Sequence, residues 1–461
     1  MFEPTELQGF GSSSPQELLE LRKALEIDDS RPPVGPFDPL RVESLDASLK
    51  IVTYNNRNIV LWNDIPKKSA RSRVEEYNKL VSYGPERGGF VPSGVLPEEE
   101  DSVYAREFQR VKYVGTTRSV HHTATLMNTM PSDLIATETQ NGILWMLRRI
   151  ERALFYGDEA ALPLEWNGLT SQIVSGGGNI IDLRGGQLTN EVIENGADIV
   201  HQNFGLATAM YSNSRVFVDF AKIHFQFQRF AAPNTPTGMV GTPINGVETQ
   251  IGPIAFRPDV FVTKGKPAPN SANSPLAPNA PTVAPAVNGA PQAGSQWEAA
   301  DAGAYAWRVT ALNKYGESAA TALTASTAVA AGESVSLTIT DGGGATAATA
   351  YKIYRTEKDD ATGVANEIVL ALIPRAQDAA GNYLPSTVHV DLNADLPLTY
   401  VALMLDMSNQ SMAFHQLSPL IRMPLAQISP AFRWMQFLYG TPIVYDPKKN
   451  VVFKNIAEAT L

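Results

Sequence analysis

The run "GKPAPNSANSPLAPNAPTVAPAVNGAPQAG", residues 265–294, most limits what this chain can become. Proline fixes φ and lacks an N–H, so neither a helix nor a central strand passes through such a stretch. Its Pro, Ala and Asn content predicts a semi-rigid linker of polyproline character over 267–296. The chain is therefore built in pieces. Helical periodicities precede this run and regular strand alternation follows it, and 461 residues leave room for several cores.

Beyond the run, Tyr305, Trp307, Val309 and Ala311 share one side of an alternating stretch, as do Val335, Leu337 and Ile339 in "SVSLTIT". Tyr351 and Ile353 follow, then "NEIVLALI" and "STVHVD". Short strands at near-regular spacing predict an all-β sandwich over 297–396. The stretch "YAWRVTALNKYGES" resembles fibronectin type III and related immunoglobulin-like domains, a likeness that implies a fold and says little about function. Tyr354 lies off the Tyr351/Ile353 face; exposed there, it would favour a sugar-binding role. After Leu396 the style of the first half returns, so the sandwich reads as an insertion into a host domain. The host then ends in an expected hairpin, Ile443–Tyr445 and Val451–Phe453, around "DPKKN".

In the host, residues 1–45 read as an arm with one short helix, since Pro15 suits a first helical position and Leu18, Leu19, Leu21 and Leu25 follow. The span 46–130 reads as a hairpin, a loop and strands. The hairpin places Ile51–Tyr54 against Ile59–Trp62 across "NNRN". From Lys67 to about Gly115 the chain is polar and broken by Gly and Pro, an excursion suited to contacts. Arg71, Arg73, Glu75 and Glu76 are candidates for pairing with neighbouring chains. The span 131–266 opens with a long helix from Pro131 to Tyr156, stopped by Gly157. Ile143, Leu147, Ile150 and Leu154 form its stripe; Arg148, Arg149 and Glu151 occupy other faces and join the inter-subunit candidates. A second amphipathic helix, "TNEVIENGADIVHQNF", is capped by Thr189. Residues 397–461 return to the host.

The formal net charge of −10 argues against gripping a phosphate backbone, which needs Lys and Arg to release counterions. The absence of cysteine removes disulfides, thiolate metal sites and cysteine nucleophiles. Glu3 and Glu6 stand where a signal peptide would be basic. His121 and His122 point to opposite faces if they lie in a strand and are poor joint ligands. No phosphate-binding or dinucleotide loop and no nucleophile elbow occurs. The expectation is of no enzymatic activity, no cofactor, no metal and no membrane span.

In series, "TTRSVHHTATLMNTMPSDLIATETQNGILWMLRRIERALFYGD", "WNGLTSQI", "NIIDLRGGQLTNEVIENGADIVHQNFG" and "HQLSPLIRMPLAQISPAFRWMQFLYGTPIVYDPKK" resemble the major capsid proteins of tailed bacteriophages. The resemblance covers most of 45–265 and 397–458. It implies an α+β fold with an N-terminal arm, an extended loop (about 63–118) over a neighbouring subunit, a peripheral domain on a long spine helix, and an axial domain. It implies hexamers and pentamers tiling an icosahedral head around double-stranded DNA, bound without sequence specificity, and assembly in the host cytoplasm. Scaffolding, portal and decoration proteins are the partners it brings. Two other classes compete: a carbohydrate-binding adhesive protein whose sandwich does the work, and a glycan-cleaving enzyme, which needs two carboxylates in one cleft.

Overall fold

The computed structural model describes residues 53–84, 90–96, 99–126, 133–224, 244–262, 274–344, 346–360, 368–427 and 429–458. The expected arm, 1–45, lies outside them.

Among the described residues the host has two larger sheets, a two-stranded ribbon and six α-helices: α1 (Leu61–Asp64), α2 (His122–Leu126), α3 (Leu134–Tyr156), α4 (Leu169–Ser175), α5 (Asn190–Gln202) and α6 (Ser214–His224). The first sheet runs β1 (Lys67–Ser69), β19 (Met412–Pro424), β20 (Ala431–Val444), β4 (Lys112–His121) in spatial order. The second runs β5 (Asn179–Asp182), β21 (Val451–Ile456), β18 (Tyr400–Leu405), β6 (Ala209–Ser212), β8 (Pro253–Pro258), β7 (Gly246–Glu248).

Helix α3 is the spine. Asp133 caps it by accepting from the Ala136 N–H at 2.9 Å. Gly142, Met146, Ile150 and Leu154, four apart, are buried, so Ile150 and Leu154 of the predicted stripe lie in the core while Ile143 and Leu147 sit half-buried on its flank. A side chain at Gly142 would collide with Gln436, whose amide donates to Thr139 O at 2.8 Å. The helix thus lies close on β20.

The second sheet is covered on both faces, and period-two alternation divides its side chains. Tyr211, Leu403, Leu405 and Val452 join α3 and α4 residues such as Ile150, Leu154 and Ile173 in one core. Met210, Ala402, Met404 and Phe453 turn the other way, against Ile193 and Val200 of α5 and Val216 and Phe220 of α6. Thr189 caps α5 as expected, accepting from Val192 N–H at 3.4 Å.

Neither expected hairpin forms among the described residues, outside which Ile51 and Val52 lie. At the first, Asn56–Asn58 form a single 3₁₀ turn closed by Asn55 and Asn58, and Leu61–Asp64 are helical. The N–H groups of Val60, Leu61 and Trp62 go to the Glu151 carboxylate at 2.8, 2.6 and 2.8 Å, so no partner strand is needed. At the second, the Pro447–Lys449 turn carries the chain from one sheet to the other. β20 pairs with β19 and β4, whereas β21 pairs with β18 and β5.

The segment 274–393 has a core of its own. One antiparallel sheet is β9 (Thr282–Asn288), β14 (Ser334–Thr340) and β17 (Ser386–Asp391), with β14 central. The facing sheet is β12 (Gly316–Glu317), β11 (Trp307–Asn313), β15 (Ala350–Arg355) and β16 (Ile368–Pro374); a short pair, β10 (Gly303–Tyr305) and β13 (Thr327–Val329), completes the segment. Val335, Leu337 and Ile339 pack against Trp307, Val309, Ala311, Tyr351 and Ile353. The expected linker therefore ends early: β9 lies inside 267–296, and its Pro285 is tolerated because β9 is an edge strand. Tyr354 is fully covered, its hydroxyl donating to Glu317 Oε1 at 2.9 Å, which removes the exposed aromatic that favoured a sugar-binding role.

This segment is bolted to the host. Arg184, with φ of 50°, donates to Gln296 Oε1 at 2.9 Å, to Asn393 O at 3.0 Å and to Gln296 O. Asp301 stands 3.7 Å from the same guanidinium and accepts from the Asn393 amide at 2.9 Å. Behind it, Arg355 and Asp391 form a buried pair at 2.8 Å. On the host side Asn455 accepts from Leu396 N–H at 2.8 Å and donates to Ala394 O at 2.9 Å.

Candidate assembly surface

β2 (Val74–Ser82) and β3 (Val103–Arg110) pair only with each other, from Val74 opposite Arg110 to Ser82 opposite Val103. No residue of either strand is buried. Leu80, Val81, Val103, Tyr104 and Phe108 lie open, with Tyr104 at 70% exposure, and Tyr83, just past the end of β2, is open as well. A lone two-stranded ribbon is marginal in water, and one this apolar is a surface prepared for contact.

The ribbon is held at its foot. Val111 N–H donates to Arg73 O at 2.9 Å, and Ala70 N–H to Gln416 O at 2.7 Å. Tyr77 meets the edge of Tyr445 at 5.2 Å between ring centres, and Glu75 Oε1 stands 3.3 Å from His415 Nδ1.

The first sheet carries a second apolar face, half-buried along β20 and exposed at Tyr113 and Met423. Trp434, Gln436 and Leu438 of β20 point to α3, so Met435, Phe437 and Tyr439 point away from it. Tyr113, opposite Tyr439, meets its ring edge-on at 5.2 Å, and Phe437 stacks on Tyr439 at 5.7 Å. Gly115 sits opposite Phe437, where any Cβ would strike the ring. Ile421 and Met423 of β19 continue the face in register with Phe437 and Met435.

The seven candidates fall apart into groups. Arg71 and Arg73 are exposed just before the ribbon, and Glu76 is exposed on it, 3.5 Å from Arg106. Glu75 turns inward to His415. Arg148 lies over the Tyr54 ring at 5.5 Å and Arg149 over Trp145 at 5.9 Å, both on the outer side of α3. Glu151 is a correction: it is fully buried as the cap of α1 and reaches no outer surface. Burial and the neighbouring Asp259 carboxyl push it up to about 9, and Asp259 is raised by its own burial. The apolar residues of the ribbon went unnoticed in the sequence because charged neighbours separate them.

His121 ends β4 and His122 begins α2, both exposed, and among the described residues no group of acidic or histidine side chains is placed to hold a metal. A cleft of about 580 Å³ lies where Ala160 approaches β16 and β17; Arg375, Gln377, Thr387 and His389 line it, without a carboxylate. The glycan-cleaving reading gains no acid pair there. No described helix is long and apolar enough to cross a membrane.

No family model matches the chain. It is 27% identical over 431 residues to the major capsid protein of Staphylococcus phage S25-3, covering 90% of each, and equally to that of Staphylococcus phage K. The putative major capsid protein of Enterococcus phage phiEF24C is 25% identical over 433 residues, again covering 90% of each. Among solved structures, a Mycobacterium phage Bobi chain aligns over 92% of this chain and 98% of its own, at 9% identity and a TM-score of 0.45. The capsid of Myoviridae phage XM1 aligns over 90% and 97%, at 8% identity and a TM-score of 0.42. Over nearly its whole length the chain is similar to phage major capsid proteins.

Proposed function

We propose that the chain is the shell subunit of a tailed-phage head, with the β2–β3 ribbon of one copy lying on the open β4–β20–β19 face of the next. The observation that carries this is the ribbon itself, an apolar element without a third strand or a covering layer among the described residues. Such head-to-tail contacts close into rings, and the likeness to phage major capsid proteins supports a shell; we take its rings to be hexamers and pentamers around double-stranded DNA. An acidic chain suits an inner wall that DNA slides along. Scaffolding and portal proteins join during assembly in the host cytoplasm, with a decoration protein where one is used. The chain performs no catalysis. Segment 274–393 we read as an immunoglobulin-like sandwich projecting from the outer surface.

The test is expression of the full chain, with a scaffold where needed, followed by negative-stain microscopy. Closed particles or capsomer rings are expected. Stable monomers that bind glycan arrays would replace this reading with the adhesive one.

A further inference from the structure

Helix α3 has an outer face that neither sheet covers. Trp145, Arg149, Arg152 and Tyr156 recur at helical spacing and form one stripe, with Arg148 beside it. The stripe lies across the helix from Gly142, Met146 and Ile150, and all five of its residues are exposed. It runs about 16 Å along the axis. The Arg148 guanidinium lies 5.5 Å from the Tyr54 ring centre, and that of Arg149 lies 5.9 Å from Trp145. A ring takes only the flat face of a guanidinium, so the N–H groups around its edge stay available to an anion. Among the described residues none of the three arginines stands within ion-pair distance of a carboxylate. Burial pushes the nearby Glu165 carboxyl up while Arg149 and Arg152 draw it down, and Asp158 beside it accepts from the Ala160 N–H at 2.9 Å. Two carboxyls against three guanidinium groups leave the stripe positive, on a chain whose formal net charge is −10.

We propose that this stripe is a contact for phosphate backbone, and that its partner is the double-stranded DNA inside the shell. The presence of DNA rests on the shell reading; the chemistry of the stripe does not. Two arguments favour DNA over a neighbouring subunit. The seat proposed for the ribbon is the face of β20 that points away from α3, so sheet and helix separate the stripe from that contact. Charge is also complementary: a duplex carries one negative charge per about 1.7 Å of its axis, so a positive stripe about 16 Å long meets several phosphates at once. The acidity of the rest of the chain does not forbid this. At about 0.15 M salt, charges more than about 8 Å apart are largely screened, and a phosphate in contact responds to the guanidinium groups beside it. Three such contacts hold a duplex weakly and read no sequence, which leaves the DNA able to shift along the wall.

The test titrates a fluorescent duplex of about 20 base pairs with the full chain, taken as free subunits, and follows anisotropy from about 50 to about 200 mM salt. Neutralising three phosphates gives a slope of about −2.7 in log affinity against log salt, so binding should weaken about 40-fold over that range. With Arg148→Gln, Arg149→Gln and Arg152→Gln together, binding at the lower salt should fall about tenfold or more and the slope should approach zero. Each change alone should take about 1 from the slope, which decides the matter if the triple variant does not fold. Lys314→Gln, Lys358→Gln and Lys448→Gln together remove the same charge from exposed positions elsewhere and should leave affinity within about twofold. Absence of binding by the parent chain, an equal loss in the lysine variant, or an unmoved slope in the arginine variants overturns the proposal. Displacement of the duplex by poly-glutamate at equal charge overturns it too, and would mark the stripe as a seat for an acidic protein. Closed particles are scored separately: their absence beside salt-dependent binding counts against the shell reading alone, and their presence without binding counts against the DNA contact alone.

Discussion

Segment 274–393, proposed above as an insert, and the ribbon are both antiparallel β structure with interleaved apolar residues, yet they end in opposite situations. In the insert, β14 turns Val335, Leu337 and Ile339 onto a second sheet and all three are sealed from water. In the ribbon, Leu80, Tyr104 and Phe108 stay open to water, and among the described residues no second sheet covers them. Strand patterning is alike in the two; what differs is the covering layer. A chain that leaves one such face open while closing another of similar length has divided its apolar surface between folding and association.

The comparison breaks most easily at Trp307. Trp307→Ala should cost the insert about 3–5 kcal/mol, seen in calorimetry as a transition that moves while host helicity persists. A single transition shared with the host would show that the insert is not separate. Next comes Glu151→Gln, which leaves fewer acceptors for three N–H groups and should lower host stability by about 1–3 kcal/mol, with the insert transition unmoved. A smaller effect, of opposite sign, is expected at Phe204, exposed with φ of 61° at the end of α5. Phe204→Gly relieves a left-handed backbone and should raise the host denaturation midpoint by the equivalent of up to about 1 kcal/mol. Smallest of all is the double change Tyr104→Ser with Phe108→Ser. It should alter the stability of the single chain by less than about 0.5 kcal/mol while abolishing closed particles in negative stain. Substantial unfolding would mean that the ribbon serves its own subunit.

Periodicity and caps exposed the spine helix and α5, because the Asp133, Gly157 and Thr189 signals are local. Alternation exposed the insert strands for the same reason. What escaped depended on distant residues. Ile59–Trp62 read as a strand, but a carboxylate some ninety positions away takes its N–H groups. β20 and β21 read as a hairpin, although nothing in "DPKKN" tells which sheet each strand will join. The prolines of 267–296 hid β9, since composition does not distinguish an edge strand from a linker. Of the candidate assembly surface, Arg71, Arg73 and Glu76 are exposed, and the apolar side chains between the charges give no pattern that sequence alone separates from a solvated loop.

Arg184 has a consequence for numbers of copies. A guanidinium that grips Gln296, Asn393 and Asp301 sets the tilt of the insert with respect to the sheets beneath it. In any array of identical subunits, every insert then stands at the same pitch and the same spacing. Weak binding by each one would add up as avidity toward a target of matching repeat, and a floppy stalk would blur that match.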